Sequence, residues 1–225
     1  MPKTDPAPRL NLSPAQEDYL KSLYLLNEGR PVRTSALADR MGVSAASATD
    51  MLGKLAALGL VSHDRYRGAS LTLPGEKVAL EMVRHHRLIE MYLAEALGYG
   101  WDEVHEEAER LEHVISEVFE ARIFSLLGHP ELDPHGDPIP SALGEMPAAA
   151  YRSLLDCAAG EEVTVRRVSD RDPEKLRALR DLGLLPGTRV GIVQESRFEG
   201  PLGLRVNHED CQVPIGLARE VFVEA

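Results

Sequence analysis

The local fold is set most clearly by residues 34–59, which read TSALADRMGVSAASATDMLGKLAALG. Thr34 is suited to cap a short helix ending at Gly42, and Ser44 to cap a second helix ending at Gly59. Apolar residues recur in both segments every three or four positions, as on the buried face of an amphipathic helix. Two short helices joined by a tight turn at a glycine predict a helix-turn-helix.

A helix start precedes this motif and a hairpin pattern follows it. Ser13, Pro14 and Gln16 combine a hydroxyl cap, a proline at the first helical position and an amide two residues later. Residues 60–73 place β-type residues on both sides of a basic, glycine-containing tip, which predicts a two-stranded wing. We therefore predict a winged helix-turn-helix DNA-binding domain over residues 1–73.

The rest of the chain divides into a helical part and a β-rich part. Two long helices are predicted, over about residues 74–97 and 102–127, with a break at residues 98–100. Residues 128–147 are rich in proline and glycine and are typical of a loop. Short β-type runs then surround one short helix at about residues 174–182. The predicted fold is mostly α with small β: the winged domain, a helical domain over residues 74–147, and a β-barrel over residues 151–225.

The net charge of −11 is unevenly distributed. Residues 1–73 carry 9 basic and 7 acidic side chains, and residues 151–225 carry 11 basic and 13 acidic ones. The middle part, residues 74–150, has 5 basic and 16 acidic side chains and six of the eight histidines. The N-terminal part can therefore face a polyanion, and the acidity belongs to the predicted helical domain.

Several protein classes are not expected. The chain has two cysteines, which are far apart and form no CxxC pair, so we expect neither a disulfide framework nor a thiolate zinc site. We see no run of 18 uncharged apolar residues, and the N-terminal residues contain no apolar signal segment. We therefore expect a cytoplasmic protein that contacts no membrane.

Two runs of imidazole and carboxylate residues lie in the acidic middle part: HHRLIE at residues 85–90 and HEEAERLEH at residues 105–113. At 100° per residue, the second run places four such groups on one helix stripe, and the first run has a histidine and a glutamate at i, i+4. The adjoining face is apolar, so this stripe should border the core, where a divalent cation would satisfy several groups at once. The alternative is a solvated acidic face with incidental histidines.

These features together resemble the diphtheria-toxin-repressor family of metal-dependent transcription regulators, from about Leu12 to the end of the chain. The run Leu182-Gly183-Leu184-Leu185-Pro186-Gly187 is similar to the SH3-like domain of iron-transport accessory proteins, so the predicted barrel should be SH3-like. The other resembling stretches are Glu17-Asp18-Tyr19-Leu20, Tyr66-Arg67-Gly68 with Leu71-Thr72, His86-Arg87-Leu88-Ile89-Glu90, and Val104-His105-Glu106-Glu107-Ala108 with Glu112-His113-Val114.

The resemblance implies two metal ions per subunit and assigns their ligands. The primary site would consist of Asp18, Glu109, Glu112 and His113. The ancillary site would consist of His86, Glu90 and His105, completed by an acidic residue of the C-terminal domain such as Asp172 or Glu174.

The same resemblance bears on the choice of metal. The iron-responsive branch has a cysteine at the position of Glu109 and a methionine at that of Asp18, whereas this chain has carboxylates at both. Hard oxygen ligands favour Mn²⁺, with Fe²⁺ as the alternative. In two respects the chain departs from some manganese regulators: Lys21 stands where they have a further carboxylate, and they commonly lack the C-terminal domain.

The implied partners are double-stranded operator DNA and a second copy of the chain. A symmetric dimer must match two major grooves about one helical turn, or a multiple of it, apart. We expect a repressor of manganese or iron uptake genes, with no small-molecule substrate. The expected DNA-contacting residues are Arg33, Thr34, Ser44, Ala46, Ser47, Thr49, Asp50, Lys54, Arg65 and Arg67.

Two alternatives come from other classes. A di-metal carboxylate enzyme normally draws a Glu-x-x-His motif from each of two helices, but Arg110 stands three residues before His113 and no second helix has the motif. HExxH is absent as well, which gives no support to zinc hydrolase chemistry. The remaining alternative is a metal-insensitive winged-helix protein whose middle domain only dimerises.

Overall fold

The computed structural model describes residues 11–27, 29–64, 66–148, 150–196 and 200–224. The chain forms two compact units, the first ending at Val83 and the second beginning at Arg84. The second unit contains the predicted C-terminal domain and the predicted helical domain, except for the first residues of the helical domain. The fold is mixed α and β.

The first unit is the predicted winged helix-turn-helix. Its helices are α1 (Pro14–Leu25), α2 (Thr34–Met41) and α3 (Ala45–Ala57), followed by the strands β1 (Val61–Asp64) and β2 (Gly68–Leu71). The long helix α4 (Leu73–Leu97) begins in this unit and continues beyond it. Fully buried leucines from α1, α2 and α3, among them Leu20, Leu37 and Leu52, form the core of the unit.

The helix ends follow the capping signals of the sequence. At α1, the backbone N–H of Ser13 donates to Gln16 Oε1 at 2.9 Å. At α3, Ser44 Oγ accepts from the backbone N–H of Ser47 at 3.1 Å. Gly42 ends α2 with a φ of 64°, a left-handed conformation that glycine adopts at little cost. These local interactions fix the turn between α2 and α3, and so the start of the second helix of the motif.

The wing depends on a close backbone approach at its base. Strands β1 and β2 pair antiparallel, with Val61 opposite Leu71 and Asp64 opposite Gly68. Gly68 has a φ of 102°, and a Cβ atom at this position would lie 2.3 Å from the carbonyl oxygen of Val32. Only glycine therefore fits where the wing passes the strand-like residues before α2.

Replacing Gly68 by alanine should lower the free energy of unfolding by about 2 kcal/mol or more, since the new methyl group adds both a clash and an unfavourable φ. The matched control is Gly53→Ala inside α3, where a Cβ meets nothing within 4 Å and helix propensity should raise stability by up to about 1 kcal/mol. Urea unfolding followed by circular dichroism measures both changes. Equal unfolding midpoints for Gly68→Ala and the wild type would contradict this account of the wing.

The second long helix of the sequence analysis is two helices. The structure has α5 (Val104–Leu111) and α6 (Glu117–Leu126), separated by a turn. Ser116 starts α6, because its Oγ accepts from the backbone N–H of Phe119 at 3.3 Å. The prediction of one helix over residues 102–127 was therefore wrong. Glu112 and His113 lie in the turn after α5 rather than on a continuous helix stripe.

The C-terminal part forms an open sheet rather than the predicted closed barrel. Its strands are β3 (Arg152–Ser153), β4 (Glu162–Val168), β5 (Arg189–Gln194), β6 (Leu202–Val206), β7 (Glu209–Val213) and β8 (Val221–Glu224). They pair antiparallel in the order β3-β8-β4-β5-β6-β7, so β3 and β7 are the two edges of the sheet in the described part of the chain. Helices α7 (Pro173–Asp181) and α8 (Ile215–Ala218) complete this part, and Leu176 and Leu179 of α7 join its apolar core.

A search of the described helices for a membrane-spanning segment found none with the necessary length and apolar character.

Candidate metal centre

Packing between α4 and α5 places two sets of ligand-type side chains face to face. Ile89 and Leu93 of α4 form an apolar cluster with Val104 and Ala108 of α5, and all four are buried. His86 and Glu90 lie one helical turn apart on α4 and are buried beside this cluster. A carboxylate and an imidazole removed from water need partners, so the neighbouring groups determine what this site can bind.

One group, here called the ancillary cluster, consists of His86, Glu90, His105 and Asp170. Glu90 Oε1 lies 3.0 Å from His86 Nε2 and 3.3 Å from His105 Nδ1. The same His105 nitrogen lies 3.3 Å from Asp170 Oδ2. The structure thus brings together the three residues of the predicted ancillary site and adds a fourth from the residues after β4.

Asp170, rather than Asp172 or Glu174, is the acidic residue that reaches this cluster. Asp172 caps α7 instead, since its Oδ1 accepts from the backbone N–H groups of Glu174 at 2.9 Å and Lys175 at 3.3 Å. Neither Asp172 nor Glu174 belongs to a ligand cluster in the described residues. The only sequence signal for Asp170 is its position just after a buried strand. The neighbouring acidic residues stand almost as close to that strand, so the sequence does not single out Asp170.

A second group, here called the Glu112 cluster, consists of Glu109, Glu112, His113 and the Nδ1 side of His86. His86 Nδ1 lies 2.6 Å from Glu112 Oε2 and 3.8 Å from Glu109 Oε1. His113 Nε2 lies 3.6 Å from Glu112 Oε1. Asp18 belongs to α1 in the other unit, so its membership of the primary site stays a prediction. His86, assigned from the sequence to the ancillary site alone, contacts both clusters.

The turn that carries Glu112 is held by a histidine that the sequence analysis did not assign. His85 Nδ1 contacts the backbone oxygen of Glu112 at 3.2 Å, and its Nε2 contacts Glu120 Oε2 at 3.1 Å. Arg84 Nε donates to the other oxygen of Glu120 at 2.5 Å. His85 therefore positions Glu112 through its backbone. The position of His85 beside His86 in the sequence does not reveal this role.

Contacts within the ancillary cluster shift the pKa values of its own side chains. Burial opposes the charge on His105, but hydrogen bonds to Asp170 and Glu90 raise its pKa to about 9. Burial also opposes the charge on Glu90, but the histidines around it hold its pKa well below the usual value. Burial acts likewise on Asp170, and its hydrogen bond with His105 lowers its pKa to about 2. At neutral pH, His105 therefore carries a proton that a cation must displace.

Binding of Mn²⁺ at pH 7.5 should accordingly release a proton from His105. The release should shrink as the pH is raised towards about 9, where the ring is already losing its proton. Titration calorimetry in two buffers of different ionisation enthalpy measures the number of protons released. His105→Ala should release about one proton fewer per subunit, while His129→Asn, outside the clusters, should match the wild type. Equal heats in both buffers for the wild type would contradict this prediction.

The first unit presents a surface of small, polar and basic side chains. Eight of the expected DNA-contacting residues are exposed: Arg33, Ser44, Ala46, Ser47, Thr49, Asp50, Lys54 and Arg67. Thr34 is half-buried at the start of α2, and Arg67 is exposed near the tip of the wing. Arg65 lies outside the described residues. The hydroxyl of Thr49 already donates to the backbone oxygen of Ala45 at 2.8 Å.

The wing also exposes Tyr66, which the sequence analysis named in a resembling stretch but did not assign to DNA contact. Tyr66 is 94% exposed, and Asp64 Oδ1 fixes the tip by accepting from the backbone N–H groups of Tyr66 and Arg67 at 2.8 and 2.9 Å. The tip of the wing thus presents an aromatic ring beside the basic side chain of Arg67. Its only sequence signal was its place in the wing.

A winged helix-turn-helix together with buried carboxylate and imidazole clusters defines a metal-responsive DNA-binding regulator. Three family models match the chain: the iron dependent repressor N-terminal DNA-binding domain (residues 11–69), the iron dependent repressor metal-binding and dimerisation domain (residues 72–141), and the FeoA domain (residues 152–225). The chain belongs to the diphtheria-toxin-repressor family, and it is a metal-dependent, DNA-binding transcriptional regulator. This is a family of repressors, not of enzymes.

Relatives of both metal types are similar over nearly the whole chain. The iron-dependent repressor IdeR of Mycobacterium leprae is 32% identical over 92% of this chain and 96% of its own length. The diphtheria toxin repressor of Corynebacterium glutamicum is also 32% identical, over 92% of this chain and 95% of its own. A manganese-dependent transcriptional repressor solved in complex with manganese is 39% identical, with a TM-score of 0.87, over 93% of this chain and 99% of its own.

Proposed function

We propose that this regulator responds to Mn²⁺. The observation that carries the proposal is the donor set, because both clusters offer only carboxylate oxygens and imidazole nitrogens. The two cysteines lie elsewhere: Cys157 is buried in the apolar core of the sheet, and Cys211 packs against that core. Hard oxygen donors without a thiolate suit Mn²⁺ better than they suit softer ions.

Some relatives depend on manganese and others on iron, and we propose manganese for this chain. The manganese regulator SloR is 33% identical in its solved structure, with a TM-score of 0.77, over 95% of this chain and 99% of its own. The iron-dependent relatives are of similar identity. The choice of Mn²⁺ therefore rests on the carboxylates of Glu109 and Asp18, and Fe²⁺ is the alternative outcome of the test.

The two clusters support the two ions per subunit that the resemblance implies. Glu109, Glu112 and His113 would hold the primary ion together with Asp18, as the resemblance implies. The ancillary cluster would hold the second, with Asp170 as the ligand from the C-terminal part. The bound ion supplies positive charge that neutralises several carboxylates at once. Because Asp18 lies on α1 of the DNA-binding unit, its ligation would favour the conformation that binds DNA.

Operator binding would use α3 and the wing of two subunits. Small side chains on the exposed face of α3 allow close approach to base edges, while Lys54 and Arg67 supply phosphate contacts. A dimerisation surface is supported by exposed apolar residues in and before α6: Val114, Val118, Phe119 and Leu126. We infer a homodimer that represses genes for manganese uptake when the ion is abundant.

His113→Ala should remove most of the Mn²⁺ stimulation of DNA binding, since it deletes an imidazole of the primary site. In the wild type we expect stimulation of roughly 5- to 150-fold, the range typical of coupled sites. Fluorescence anisotropy measures it on duplexes that the wild type selects from a random pool with Mn²⁺ present. His129→Asn serves as the control. Unchanged stimulation in His113→Ala would overturn the primary-site assignment.

Glu109→Cys should shift the activating ion from Mn²⁺ towards Fe²⁺ or Co²⁺, because it introduces a soft thiolate. The later metals bind most sites more tightly in any case, so DNA binding must be compared at equal metal occupancy. Glu107→Cys is the matched control, since Glu107 lies on the same helix and contacts Arg110 at 3.0 Å. If the two cysteine variants respond alike to the three metals, Glu109 is not a ligand.

A further inference from the structure

A third group of buried ligand-type side chains lies beyond the two clusters of the proposed function. It consists of Glu90, Asp133 and His135, whose exposed fractions are 0%, 7% and 0%. One ligand atom from each lies within 4.8 Å of the others. Neither Asp133 nor His135 was singled out in the sequence, where both fall in the proline- and glycine-rich segment predicted to be a loop.

The orientation of His135 suits a metal ligand. Its Nε2 lies 2.8 Å from the backbone oxygen of Trp101, an acceptor, so Nε2 carries a hydrogen and donates it. When the ring is neutral, Nδ1 therefore presents a lone pair. A histidine that binds a metal commonly donates its other ring N–H to a backbone carbonyl in this way.

Nδ1 of His135 faces Glu90 Oε2 at 3.8 Å. Neither atom has a hydrogen-bond partner among the described residues, although both are buried. A distance of 3.8 Å is too long for a hydrogen bond. It is close to the separation of roughly 3–4 Å between two ligand atoms that each lie about 2.1 Å from one metal ion.

Asp133 is held in place by its own loop. Its Oδ1 accepts from the backbone N–H groups of His135 at 2.8 Å and Asp137 at 2.9 Å. Its other oxygen, Oδ2, lies 3.6 Å from Arg87 Nε. Gly136 fixes the loop further, because it has a φ of 90° and a Cβ there would lie 1.9 Å from the backbone oxygen of Arg166. The carboxylate is thus positioned before any ligand binds.

The charge around this group favours a cation. Three acidic side chains lie in this neighbourhood: Glu90 and Asp133 are buried, and Asp137 is half-buried. Arg87 contacts both Asp133 and Asp137, and Arg167 contacts Asp137 at 3.4 Å, so two arginines face three carboxylates. A divalent cation would compensate the remaining negative charge.

We propose that Glu90 Oε2, His135 Nδ1 and Asp133 bind a divalent transition-metal ion at a third site. Here this site is called the inner site. Glu90 would bridge two ions, with Oε1 towards the ancillary cluster and Oε2 towards the inner site. The inference rests on the proposed function only in that Glu90 also serves the ancillary site. The competing arrangement is a protonated His135 that simply pairs with Glu90.

Two conservative substitutions test the inner site in the full-length protein. Asp133→Asn keeps an oxygen that can accept from the two backbone N–H groups but removes the anionic ligand. His135→Gln keeps an amide N–H that can donate to Trp101 but removes Nδ1. Equilibrium dialysis of chelator-treated protein against Mn²⁺ should give one bound ion fewer per subunit for each variant. His129→Asn should bind as many ions as the wild type. An unchanged count in both substituted proteins would overturn the proposal.

A His105→Ala background separates the inner site from its neighbour. His105 is not a member of the inner site, so adding Asp133→Asn to His105→Ala should remove a further ion. If the double variant binds as many ions as His105→Ala, then Asp133 acts only by supporting the ancillary cluster, and the inner site is disproved. Mn²⁺ stimulation of DNA binding by the wild type is measured separately. Its absence would overturn the proposed function without changing the ion count.

Discussion

The packing of α4 against α5 is the constraint on which the second unit depends. Ile89, Leu93, Val104 and Ala108 bring the two helices together, and that contact removes Glu90 and His86 from water. A buried carboxylate is costly unless charge or hydrogen bonds compensate it. Histidines from α4, from α5 and from the loop after α6 surround Glu90 and compensate its charge.

Local signals explain why much of the first unit could be predicted. The caps at Ser13 and Ser44 and the glycine at residue 42 act within a few residues, so they are visible in the sequence. The i, i+4 pair His86 and Glu90 is equally local. These features gave the winged helix-turn-helix correctly, and the family resemblance was confirmed by the family models.

Long-range contacts explain what could not be predicted. A helical period continues through residues 112–116, but the chain turns there and Ser116 caps a new helix. Asp170 reaches His105 across 65 residues of sequence, and no local pattern distinguishes it from Asp172. Closure of the sheet into a barrel likewise depends on hydrogen bonding between its two edge strands. The edge strands β3 and β7 do not pair with each other, so the sheet stays open. The group at Asp133 and His135 was hidden in a segment whose composition indicates a loop.

The separation of both cysteines from the ligand clusters has a consequence for oxidative chemistry. Burial raises the pKa values of the Cys157 and Cys211 thiols, which lowers the fraction of reactive thiolate. Peroxide attacks thiolates, converting them to sulfenic and then to higher acids, and a thiolate ligand is lost in the process. Carboxylate and imidazole ligands undergo no such conversion. A metal site built from these clusters would therefore contain no thiolate of the kind that peroxide destroys in a cysteine-based metal sensor.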